Sequence, residues 1–214
     1  MNKNFAKVRL SAEEMRLVRD PAWILTKNSV MGKVIAMFGE LSGGWKEPKI
    51  SKGDNYKGLP WVMLDYPRVF GKEDVYAIRT FFLWGHAFSV TLHLKGDYRE
   101  KFLPAILARR AELAAAGFGM GISDDEWAHE HTEETYGPLS TRESPFEGTG
   151  DIRSDSSERG LAGVGARIEM AGDRPWLKLS ARVGLEHWDE APEKLLALHQ
   201  LLMDVSCPGG EKDP

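Results

Sequence analysis

The chain has 214 residues, 42% of them hydrophobic and 28% charged, with seven Trp, which describes a globular protein large enough for a sizeable core. A formal net charge of -4 argues against a nucleic-acid module, which usually carries a basic face, and no apolar run reaches the roughly 18 residues that span a bilayer. The single cysteine, Cys207, excludes an intramolecular disulfide, and the cytoplasm is the expected compartment.

The first twenty residues mix both charge signs and lack the apolar stretch of a secretory signal. Ser11 followed by Glu13 and Glu14 reads as a cap and first turn of a short helix, which Pro21 stops or replaces with the next one. In that next helix Val30, Val34, Met37, Phe38 and Leu41 recur at spacings of three and four, a buried stripe that ends at Gly43-Gly44. Lys46 to Gly58 reads as a polar loop. Leu59 to Pro67 reads as a strand, and its two prolines, which cannot donate to a ladder, place it at a sheet edge or a bulge. Val62, Leu64 and Tyr66 share one of its faces; Trp61, Met63 and Asp65 share the other.

Val75 to Lys95 reads as a β-hairpin. Gly85-His86 suits a two-residue turn, which sets Leu83 opposite Phe88, Phe81 opposite Val90 and Arg79 opposite Leu92. Phe81, Leu83, Phe88, Val90, Leu92 and Leu94 then form a core face that carries Arg79, while Phe82, Trp84 and His93 lie on a mixed second face. A helix capped at Gly96-Asp97 runs to about Ala116, with Pro104 tolerated only in its first turns.

Gly117 to Ile122 reads as a short strand with a bare glycine face, which allows close approach of an aromatic ring or a ligand. Its G-x-G-x-G pattern follows a helix and runs into Asp124, Asp125 and Glu126, unlike a dinucleotide fingerprint. Asp124 to Glu134 is expected to be extended, with a helical turn as rival. An extended chain projects His129 and His131 from one face, the arrangement two metal ligands need, although a third ligand is not evident. Residues 138–160 form a polar loop with almost no apolar residue. Val164 to Met170 and Leu177 to Leu185 alternate around Gly172-Asp173, a second hairpin that pairs Ile168 with Leu177. A helix from Asp189, with Pro192 in its first turn, buries Leu195, Leu198 and Leu202, flanked by Leu196 and Leu201; residues 208–214 are a frayed tail.

The order is α, β, ββ, α, β, ββ, α. It predicts a single α+β domain over residues 1–214, with a central antiparallel sheet built from two hairpin-plus-helix units and helices mainly on one face. FFLWGHAFSVTLHL, the helix after GDY, and WLKLSARVGLEHWDEAPEKLLALHQLL resemble the YktB-like proteins, an uncharacterised bacterial family. That resemblance implies an α+β fold and lends no function.

Arg79 on an apolar face needs a carboxylate, and Asp65 on the neighbouring strand is the sequence candidate for a buried ion pair. The expected function is non-catalytic binding or interaction. A concave sheet face with Trp61, Asp65, Arg79, Phe82, Trp84 and His93 would hold a small amphipathic ligand or a partner segment, without cofactor, nucleic acid or membrane. The alternative is a metal-assisted hydrolase using His129 and His131. Oligomeric state is not legible.

Overall fold

The computed structural model describes residues 8–139 and 174–206. Two helices come first, α1 (Ala12–Val18) and α2 (Pro21–Leu41). Four strands follow: β1 (Lys49–Tyr56), β2 (Leu59–Phe70), β3 (Val75–Leu83) and β4 (Ala87–Lys95). Then come α3 (Asp97–Ala108), α4 (Arg110–Ala115), β5 (Gly119–Gly121), β6 (Tyr136–Pro138) and β7 (Trp176–Gly184). A 3-10 helix (Leu185–Glu190) leads into α5 (Ala191–Ser206). The strands form one sheet in the order β1-β2-β3-β4-β7-β5-β6, with every neighbouring pair antiparallel.

The fold class is α+β, as the sequence predicts. One sheet face carries Val62 and Leu64, Tyr76, Ile78 and Phe82, Phe88 to Leu94 in alternation, and Leu177, Leu179, Ala181 and Val183. Against it pack Val34 and Phe38 of α2, Phe102 and Ile106 of α3, and Leu195, Leu202 and Val205 of α5. These helices shield that face from water, and its apolar burial supplies most of the folding free energy. On α5 the inner stripe also takes in His199 and Ser206, while Leu196 faces solvent.

The hairpin exists, but its register is one residue away from the expectation. Leu83 pairs with Ala87, Phe82 with Phe88 and Arg79 with Thr91. The Trp84 amide donates to the Pro60 carbonyl (3.0 Å), so Trp84 stays in step with β2. The turn closes instead through His86 N–H to the Leu83 carbonyl (3.1 Å), with Gly85 at φ 74° where that turn demands a left-handed residue. Three residues, Trp84 to His86, therefore leave the ladder, and a one-residue slip exchanges the faces. Phe82 and Trp84 point to the helices; Arg79, Phe81 and Leu83 share the opposite face with Ser89, Thr91 and His93.

Other expectations are corrected as well. The polar stretch from Lys46 contains β1, an edge strand joined to β2 by Lys57-Gly58, both at positive φ (51° and 84°) as a type I′ hairpin turn requires. β2 is therefore interior, and Pro67, which has no N–H, falls where the β2–β3 register shifts between Asp65 and Arg68. Pro104 lies inside α3, beyond the first turns. Residues 123–135 are an irregular crossing segment and not a strand. Asp125 Oδ1 accepts from Trp127 N (2.8 Å) and Thr135 Oγ1 accepts from Thr132 N (2.9 Å), local bonds that compete with a ladder. Most of the expected loop at 138–160, the first strand and turn of the second hairpin, and the tail lie outside the described residues. The segment expected as its second strand is β7, which has the predicted alternation and pairs with β4 and β5.

Candidate functional site

Antiparallel pairing lines up polar residues across the sheet face that the helices leave uncovered. Asp65 stands opposite Arg79, Arg79 opposite Thr91, Thr91 opposite Ser180, and Ser180 opposite Gly119. One row along, Ala77 is opposite His93 and His93 opposite Lys178. Segment 123–135 crosses this face between β5 and β6. Close approach there depends on Gly121, where an added Cβ would lie 3.2 Å from the Trp176 ring and 3.1 Å from the Lys178 Cβ. The glycine face does meet an aromatic ring, contributed by Trp176.

The Asp65–Arg79 ion pair is present and bidentate, with Nε to Oδ1 at 2.7 Å and Nη2 to Oδ2 at 3.1 Å. Its side chains are only 15% (Arg79) and 7% (Asp65) exposed. The remaining arm of the guanidinium, Nη1, donates to a ring nitrogen of His129 (3.0 Å), whose backbone N–H donates to the Tyr56 hydroxyl (2.8 Å). Glu130 accepts from that hydroxyl and from Lys57. Lys178 donates to the carbonyls of Glu126 (3.1 Å) and Ala128, and its ammonium lies 5.7 Å from the Tyr136 ring centre. Glu126 accepts from His93 Nε2 (3.1 Å) and Lys95 Nζ (3.2 Å).

Burial, reinforced by the Lys178 and Arg79 charges, depresses His93 to about 3. His129 falls to about 3 through burial, then Arg79 and Lys178. Both rings are neutral, so the His93–Glu126 contact is an ordinary hydrogen bond and not an ion pair. Lys178 is lowered to about 8, by burial first and by Arg79 second. Burial alone would raise Glu130, yet the bonds from Lys57 and Tyr56 outweigh it and hold the carboxyl low. Burial and Glu130 push Tyr56 up to about 12. His131 is lowered to about 4 by burial and then Arg182; it bonds Ser180 Oγ through Nδ1 (3.1 Å) and stacks on Tyr136 at 4.7 Å. The Tyr136 hydroxyl is buried beside the hydroxyls of Thr91 and Ser180.

Of the residues expected to line one concave face, Asp65, Arg79 and His93 come together. Trp61 shares their face but packs with Met63, Phe81 and Leu83 in a separate apolar cluster. Phe82 and Trp84 are on the helix-covered face, a correction that follows from the three-residue turn. His129 and His131 do not converge: one turns to Arg79, the other to Ser180 and Tyr136. Among the described residues no three His, Cys, Asp or Glu side chains gather as a metal-ligand group. Ser180 is fully buried and accepts from Thr91 Oγ1 (2.9 Å), an arrangement that offers a substrate no approach. Lys178, Glu126 and Glu130 escape sequence reading, although a lysine between Leu177 and Leu179 on an interior strand is a legible signal for the first.

A different surface is open. α1 has no buried residue, and the buried residues of α2 are Met31, Val34 and Phe38, so the first part of α2 stands clear of the core. This arm exposes Val8 (72%), Val18 (71%), Leu25 (64%) and Trp23 (50%), together with Leu10, Met15, Leu17 and Ile24. It is nonetheless well formed. Ser11 and Glu14 make a capping box, and Asp20 caps α2 ahead of Pro21. Trp23 meets Trp84 edge-on at 6.4 Å, and Lys27 pairs with Asp54, tying the arm to the sheet domain. Between α2 and β1 lies a cleft of about 410 Å³, floored by Met31, Gly32 and Ile35 and rimmed by Lys27, Lys52 and Asp54. Apolar residues at 23–25, upstream of the stripe that begins at Val30, are the signal by which the arm could have been found.

No family model matches the chain, and neither a curated protein nor a solved structure is similar to it. Among the described residues no helix is long and apolar enough to cross a membrane.

Proposed function

We propose that this chain is a non-catalytic interaction protein of the cytoplasm, with the α1–α2 arm as its contact surface and the sheet domain as the rigid body that presents it. The observation that carries the reading is the arm itself: six large apolar side chains, each more than a third exposed, on helices that are capped and formed, with exposed Val8 and Leu10 just ahead of them. The largest apolar patch on a typical monomer covers about 300–600 Å², and such patches are commonly functional. The polar sheet face supports the same reading from the other side. Its guanidinium, ammonium and imidazoles are turned onto one another and onto the crossing segment, as groups that fasten a fold are. A metal-assisted hydrolase at His129 and His131 gains no support, because a guanidinium occupies the side of His129 that a cation would need. Membership of the YktB-like proteins belongs to the proposal too, resting on the resemblance alone.

The test is whether the arm's apolar residues are dispensable for folding. In dilute protein, Val18→Ser combined with Leu25→Ser should change unfolding free energy by less than about 1 kcal/mol, as exposed sites do. A loss above roughly 2 kcal/mol would mean that the arm belongs to the folding core, and the reading would fall.

A further inference from the structure

We propose that the cleft between α2 and β1 is a binding site for a small anionic amphiphile, a carboxylate carried on an apolar chain. The inference goes beyond the interaction reading and does not depend on the arm.

The register of the edge strand builds the site. Lys52 stands opposite Val62, and Val62 belongs to the face that the helices cover, so Lys52 projects on the same side as α2. The helix rests on the sheet through Met31, Val34 and Phe38. β1 is the outermost strand, and between it and the helix the cleft of about 410 Å³ stays open. That volume falls in the range of about 300–1,000 Å³ usual for small-molecule sites. Gly32 keeps the floor bare, since a Cβ built there would meet nothing within 4 Å. A glycine inside a helix weakens it relative to alanine, and among the described residues no close contact at Gly32 calls for one. Gly39, the other open glycine of α2, lies in the last turn. Room for a ligand accounts for Gly32.

Polarity and charge select the class. Met31 and Ile35 give the cleft an apolar floor, while two lysines and one aspartate on its rim (Lys27, Lys52, Asp54) sum to a charge of +1 on a chain of net charge -4. Lys27 and Asp54 pair with each other. Lys52 makes no ion pair among the described residues, so its ammonium is left for a ligand anion. One uncommitted cation above an apolar floor suits a monoanion with an apolar body. A polyphosphate needs more cations than this rim holds, and a neutral molecule makes no use of Lys52.

The experiment is a titration of the isotope-labelled full chain with sodium octanoate, read by amide chemical shifts. The expected result is saturable shifts at Gly32, Ile35, Lys52 and Gly53 with a dissociation constant of about 1 mM or below. Octanamide, the neutral analogue, should bind at least about 5-fold more weakly, and Lys52→Glu should abolish that preference. Gly32→Leu fills the cleft from its floor and should weaken octanoate at least about 10-fold without lowering the thermal midpoint, because leucine is the better helix former. Val18→Ser/Leu25→Ser, on the arm, should leave octanoate affinity unchanged. No saturation by about 10 mM, shifts centred on the arm, or parental affinity in Gly32→Leu overturns the site. Octanamide binding as tightly as octanoate, or a preference for octanoate that survives Lys52→Glu, overturns the anionic class.

Discussion

Replacing Asp65 by Ala strands Arg79 on the sheet face. The guanidinium loses both members of a bidentate pair (2.7 and 3.1 Å) and keeps a neutral imidazole as partner, with the Lys178 ammonium on the next row of the same face. Both side chains of the pair are mostly shielded from water, so rehydration cannot make good the loss. Breaking a buried pair from one side costs about 3–5 kcal/mol, and the present pair belongs toward the lower end because Arg79 keeps some access to solvent. Arg79→Ala should cost a similar amount, since it leaves Asp65 unpaired and His129 without its donor. The double variant should be less damaged than the sum of the singles by about 1–3 kcal/mol, because both substitutions remove one shared interaction. Urea denaturation at one fixed low protein concentration gives the four free energies. Additive losses would refute the argument that this pair pins β2 to β3, and near-neutral singles would show that Arg79 is solvated in solution.

Acid should destabilise the fold earlier than carboxylate titration alone predicts. His93 and His129, at about 3, and His131 and His199, at about 4, all lie below the ordinary 6.5. The unfolded chain therefore takes up protons that the native state refuses, and stability falls as pH drops from about 6.5 toward the depressed values. Unfolding midpoints between pH 4 and 7 should show a shallower slope in His129→Gln than in the parent; equal slopes would contradict the buried neutral imidazole. Gly119→Ala should destabilise by about 2 kcal/mol or more, since its Cβ would lie 2.7 Å from the Gly137 carbonyl oxygen, whereas Gly32→Ala in α2, with open space, should stabilise by up to about 1 kcal/mol. Thermal melts of the two variants decide the matter, and the reverse order would disprove the packing given for β5 and β6.

The sheet was largely legible because alternation survives in the sequence. Val62 and Leu64, and Leu177 through Val183, reach the face their spacing predicts. What failed is what alternation does not encode. Whether Trp84 belongs to the turn or the strand is decided by its bond to Pro60, a contact across strands, and that one residue moved Arg79 from the core face to the polar one. β1 is polar because it is an edge, so its pairing shows only in the Lys57-Gly58 turn. The Asp65–Arg79 pair was found from chemistry despite the wrong face, since register with β2 was unaffected. The arm was harder to read for another reason. Apolar residues at helical spacing read as core, and only the tertiary structure tells that, among the described residues, α1 and the first turns of α2 bury none of theirs.

Amide hydrogen exchange in dilute protein tests the central claim most directly. If the arm lacks cover in its own chain, amides of α1 should exchange within about 10–100-fold of unprotected rates, while those of β3 and β4 exchange only through global unfolding. Protection of α1 equal to that of β3 and β4 would contradict the account, because it would place the arm inside the cooperative core.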